Sequence, residues 1–197
     1  HVRYVNDLQD PLGNPLFLQN TIAVDQTLHW ADPLHQHPQT TTYLGPIPTV
    51  VHLHGGEVPS AFDGGPDAWW TPGKAQLGPG YVTDTYVYPN EQQATTLFYH
   101  DHALGITRLN VYAGLAGFYL IRDPANEPAN LPGGSTDHPL DSFGNPYERG
   151  IAIQDRMFDT DGQLYFPAEG INPEHPYWIP EFFGDVVLVN GKPWPYL

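Results

Sequence analysis

The stretch Thr49-Val50-Val51-His52-Leu53-His54-Gly55-Gly56 decides how this chain is read. Its polar and apolar residues alternate with the period of a strand, so Val50, His52 and His54 fall on one side and Val51 and Leu53 on the other. At roughly 3.3 Å per residue the two histidine Cβ atoms lie about 6.5 to 7 Å apart, a spacing that serves one metal ion or two adjacent ones. Gly55-Gly56 ends the strand and lets the backbone pass close to whatever the histidines hold.

A second stretch, Ala94 to His102, repeats the arrangement. Thr96, Phe98, His100 and His102 share one face, and Leu97, Tyr99 and Asp101 share the other. Four imidazoles are therefore expected to converge on one pocket. Imidazole ligates copper, zinc, iron and nickel alike, so the ligand type predicts a transition metal without choosing one. The plainer alternative, four histidines with ordinary hydrogen bonds, is disfavoured by the doubled pattern. Asp101 has two readings, an acceptor that orients another group or an ion-pair partner for Arg108.

Working outward, Gly55 and Gly56 lead into a long loop, Glu57 to Gly80, with Asp63, Asp67 and the pair Trp69-Trp70. Its length without periodicity predicts a functional loop over the site. Val2 to Val5 and Tyr81 to Tyr88 read as strands, residues 103 to 112 as a turn or two of helix, and Gly114 to Ile121 as an apolar strand closing the domain. Pro11 to Pro48 is rich in Pro, Gly, Thr and Gln, with one apolar stretch, Thr21 to Val24. It also carries His29, His35 and His37, read as exposed loop histidines.

Domain boundaries are expected as residues 1–124 for a first unit, 125–149 for a linker and 150–197 for the start of a second, where Ile151 to Ile153 and Val186 to Val189 look like strands. A 48-residue run with two or three strands cannot bury a core of its own, so a continuation or partner is expected. The chain opens at His1 without an initiator Met, and part of the natural N-terminus is expected to be missing, with any targeting segment.

Composition narrows the function further. The 197 residues include 20 Gly, 22 Pro and 13% aromatics, with little helical periodicity, which reads as an all-β protein with long ordered loops. A formal net charge of -15 disfavours nucleic acid and anionic membrane surfaces as partners. Cysteine is absent, which excludes Cys-based zinc sites and thiol nucleophiles. No apolar run reaches the roughly 20 residues of a membrane span. A binuclear zinc hydrolase of the metallo-β-lactamase type would want His-x-His-x-Asp-His, but Gly55, Gly56 and Glu57 follow His54. A histidine brace at His1, as in the lytic polysaccharide monooxygenases, would leave both histidine pairs unexplained.

Val51-His-Leu-His-Gly-Gly56, Tyr99-His-Asp-His-Ala103, Thr107-Arg-Leu-Asn-Val-Tyr-Ala-Gly-Leu115 and Leu188-Val-Asn-Gly-Lys-Pro-Trp-Pro-Tyr-Leu197 together resemble the multicopper oxidases, in the branch of bacterial spore-coat laccases, bilirubin oxidase and phenoxazinone synthase. The resemblance runs from about Val2 to Leu197. It implies a cupredoxin-like Greek-key β-sandwich or barrel, plus the first strands of a second cupredoxin domain. It further implies copper, with His52 on the type 2 ion, His54 and His100 on one type 3 ion and His102 on the other. Asp63 matches the acidic residue that the family keeps near the cluster for proton delivery.

The implied activity is laccase-like, coupling one-electron oxidation of phenolic or similar substrates to reduction of dioxygen to water. The departures matter too. The other half of the cluster ligands and the cysteine-dependent type 1 site lie outside this chain, which is expected to need the remaining C-terminal part of the same oxidase. A secreted or periplasmic location is what such proteins often have. A copper-binding or copper-free cupredoxin module with a storage or scaffold role is the alternative.

Overall fold

The computed structural model describes residues 1–16, 45–128, 130–131, 140, 142, 144, 147–166 and 181–193. The expectations for Thr21 to Val24, for His29, His35 and His37, for much of the 125–149 linker and for residues 194–197 lie outside the described residues.

The elements run β1 (Val2–Arg3), β2 (Val51–His54), β3 (Thr85–Tyr86), β4 (Thr95–Asp101), α1 (Thr107–Tyr112), β5 (Ala116–Ile121), β6 (Ile153–Phe158), β7 (Leu164–Tyr165), β8 (Val186–Val189) and β9 (Lys192–Pro193). They form three antiparallel sheets, β1-β3, β2-β4-β5 and β7-β6-β8-β9. Among the described residues the regular structure is thus mostly strand, as the composition predicts.

The central sheet carries the histidines. β4 lies between β2 and β5, with His52 opposite His100 and His54 opposite Phe98. Register follows from burial. Leu53 and Tyr99 face each other across the strands and pack under the sheet with Tyr86 and Tyr88, so a slip by one residue would turn the histidines into that core. Gly117 opposite Tyr99 has a specific reason: a Cβ there would come within 2.6 Å of the Tyr99 hydroxyl.

The strand expected over Tyr81 to Tyr88 shrinks to Thr85–Tyr86, paired with β1. At its start Thr83 Oγ1 accepts the Thr85 N–H at 3.0 Å, a local bond of the kind that competes with a ladder. The strand expected from Ile151 begins instead at Ile153. Ala152 donates its N–H to Asn190 Oδ1 and accepts from Asn190 N, both at 2.9 Å.

A second core gathers Val50, Trp69, Trp70, Ile106, Leu109 and Tyr112 and extends to Phe166. Each buried tryptophan removes about 150 to 250 Å² from water, worth roughly 4 to 6 kcal/mol in gross transfer free energy. Trp70 also bridges two segments, exchanging backbone hydrogen bonds with Thr49 at 3.0 Å and pairing with Leu77. The long loop is thereby fixed against the approach to β2.

Candidate metal centre

Along the face that carries the histidines, exposure rises in order. Val50 is fully buried under α1, His52 is half-buried and His54 is exposed. Ligand-bearing atoms of His52, His54 and His100 all lie within 4.8 Å of one another. His102 is not in that group, but its ring stacks on His52 with centroids 4.7 Å apart and planes 23° from parallel. The structure therefore brings the four predicted imidazoles to one place, three of them converging and the fourth laid against the first.

Three of the rings are oriented by backbone carbonyls. His52 Nδ1 faces the Asp63 carbonyl at 2.6 Å, His100 Nδ1 the Asp101 carbonyl at 2.7 Å, and His102 Nδ1 the Gly64 carbonyl at 2.9 Å. A carbonyl has no proton to give, so all three Nδ1 atoms carry the hydrogen and all three neutral rings keep a lone pair on Nε2. His54 is turned the other way. Its Nδ1 lies 3.3 Å from His100 Nε2.

That separation tests whether an ion fits. Two nitrogens at 2.0 to 2.1 Å from one tetrahedral ion stand roughly 3.3 Å apart. The observed pair has that separation, and the donor set is all imidazole, as first-row transition metals prefer. Burial, the larger cause, and the neighbouring imidazoles lower the pKa of His100, favouring the neutral, ligating form.

Asp101 acts as an acceptor that orients another group, here the Asn110 amide. Its side chain is buried and accepts from Val50 N at 3.0 Å, Ala103 N at 3.2 Å and Asn110 Nδ2 at 3.0 Å. Burial raises its carboxyl to about 6 against the lowering effect of these donors. The carboxylate holds backbone, and the residue's carbonyl is what orients His100. The guanidinium of Arg108 lies 4.9 Å over the Phe166 ring. Asn110 escaped the sequence reading, although a lone amide between Leu109 and Val111 in an apolar helix was a signal.

Asp63 stands beside the site. Its Oδ1 is 3.4 Å from His52 Nδ1 and its side chain is 46% exposed. Beyond His54 the same face continues into an exposed apolar strip, Phe98 opposite Phe118 and Thr96 opposite Leu120. No helix among the described residues is long and apolar enough to cross a membrane.

Comparison with known proteins places the chain among copper oxidases. Residues 39–126 match the family model described as multicopper oxidase. Over 189 residues the chain is 45% identical to multicopper oxidase LPR1 homolog 1 of Oryza sativa subsp. japonica, an alignment covering 94% of this chain and 30% of that protein. It is 42% identical over 180 residues to a laccase of Bacillus subtilis (strain 168), covering 89% of this chain and 32% of that one. Among solved structures, the McoA multicopper oxidase of Aquifex aeolicus superposes with a TM-score of 0.54 at 29% identity, covering 76% of this chain and 28% of its own. The chain spans about a third of the length of the curated relatives it matches.

Proposed function

The chain belongs to the multicopper oxidase family and has its cupredoxin-like fold, and on that premise we propose that its four histidines are copper ligands in a laccase-like oxidase. The observation that carries the reading is the convergence of His52, His54 and His100, with the Nδ1 atoms of His52, His100 and His102 engaged by carbonyls. His52 takes the type 2 position, His54 and His100 share one type 3 position, and His102 takes the other. Copper held there would supply one-electron redox chemistry, relaying to dioxygen the electrons drawn from the reducing substrate.

The protein's own contribution is rigidity and a proton route. Three of the four imidazoles are each fixed by a hydrogen bond to a backbone carbonyl, which holds them in place before an ion arrives. Asp63, half-exposed and 3.4 Å from His52 Nδ1, joins the site to solvent and exchanges protons with it. The reducing substrate is a phenol or a similar small aromatic. Its oxidation needs a cysteine-dependent type 1 site, and this chain has no cysteine. We therefore assign that site and the other half of the ligands to a further part of the same protein, as separate chain or cleaved fragment. The apolar strip of Phe98, Phe118 and Leu120 beside His54 supports such a partner surface. A secreted or periplasmic location completes the reading.

The test is replacement of His52 or His100 by Ala in the complete protein. Copper content measured by elemental analysis should fall and oxygen consumption should cease. Full copper loading and full oxygen uptake in both variants would sink the assignment.

A further inference from the structure

We propose that the Asp63–Gly64 turn is a tautomer lock for two histidines at once, and that Gly64 is the positioning residue on which it depends. His52 comes from β2 and His102 follows β4, so nothing local to either strand coordinates their rings. The two Nδ1 atoms nevertheless find successive carbonyls of one loop, Asp63 O at 2.6 Å and Gly64 O at 2.9 Å. One peptide turn thereby sets the tautomer and the plane of both rings, and the rings stack.

The loop reaches this position only by lying directly on the backbone of β2. A Cβ at residue 64 would stand 1.9 Å from the Val51 carbonyl oxygen, 2.6 Å from its carbon and 3.0 Å from His52 N. All three neighbours are main chain, which has no rotamer with which to yield. The φ of Gly64 is also +72°, a region that side-chain-bearing residues rarely adopt. Two independent demands thus meet at one residue. A side chain there lifts both carbonyls together and releases both Nδ1–H groups, leaving each ring free to take the other tautomer or rotate.

Two other glycines separate the effects. Gly73 has a φ of +64° but open space at its Cβ, so Gly73→Ala carries backbone strain alone. Gly65 has open space and no positive φ, so Gly65→Ala should be silent. The role of these rings as ligands rests on the copper reading above. The lock itself is defined without metal.

The experiment is long-range proton–nitrogen correlation NMR on the metal-free complete protein with ring-labelled histidine, at about pH 8, above the ordinary imidazole range. In the unaltered chain His52 and His102 should each appear as a single Nδ1–H tautomer. In Gly64→Ala both should move together toward mixed tautomers while His100, held by Asp101, stays unchanged. Gly73→Ala and Gly65→Ala should leave all signals in place.

An Nε2–H tautomer at His52 or His102 in the unaltered chain overturns the proposal, even if Gly64→Ala fails to fold. So does a folded Gly64→Ala chain with both signals intact. A copper(II) titration of the same unaltered sample reports separately. Nδ1–H tautomers without copper uptake would support the lock and count against the oxidase reading.

Discussion

Asn110 Nδ2 donates to Asp101 Oδ2 at 3.0 Å and to the Pro48 carbonyl at 3.1 Å, so one buried amide on α1 ties the end of β4 to the chain entering β2. Replacing it by Ala strands one buried carbonyl and removes one of three donors from a buried carboxylate. Asn110→Ala should lower stability by about 2 to 4 kcal/mol, which urea unfolding would measure. A loss under about 0.5 kcal/mol, the usual scale of a surface substitution, would mean that water replaces the amide at no cost.

Asp84 gives a pH prediction. Lys74 Nζ at 2.6 Å, the larger cause, and Arg3 Nε at 3.3 Å hold its carboxyl down to about 2. A depressed carboxyl stabilises the fold fully above the unfolded value of about 4 and loses that contribution as pH falls through about 2. The stability difference between the unaltered chain and Asp84→Asn should therefore be constant near neutrality and shrink across that acid window. A difference independent of pH in acid titrations would remove the ion pairs from the account.

Tyr112 joins α1 to β6 and β7. Its hydroxyl donates to the Tyr165 carbonyl at 2.6 Å and accepts the Met157 N–H at 2.9 Å, while its ring meets Phe166 and Phe182 edge-on at 5.1 Å. Tyr112→Phe keeps the ring contacts and deletes the hydrogen bonds. The expected cost is about 1 to 3 kcal/mol, with hydrogen exchange accelerating at Met157 before it does at β2 or β4. Unchanged protection at Met157 would show that another acceptor serves it.

Much of this was legible in the residues, because alternation is a local signal. The pairs His52/His54 and His100/His102 announced both strands and their facing side, and Val50 lies on the histidine side at its buried end. What stayed hidden depended on backbone atoms. The carbonyls of Asp63, Gly64 and Asp101 that orient the rings have no side-chain signature, since every residue carries one. Asp101 was read through its carboxylate as an acceptor that orients another group, and that carboxylate does hold Asn110 together with main chain, but the ring it orients, His100, is met by its carbonyl. Of Tyr81 to Tyr88 only Thr85–Tyr86 pairs as a strand, and the Thr83 hydroxyl takes the Thr85 N–H, a bond that alternation does not weigh.

The double use of Asp101 bears on transplanting this site into another scaffold. Copying four histidines onto two neighbouring strands would reproduce the spacing and lose the aim. The smallest portable unit also contains Asp63 and Gly64 for two of the rings, the Asp101 carbonyl for the third, and Val50, Ala103 and Asn110 to keep Asp101 in place. A designer would be borrowing a piece of folded main chain rather than a set of ligands.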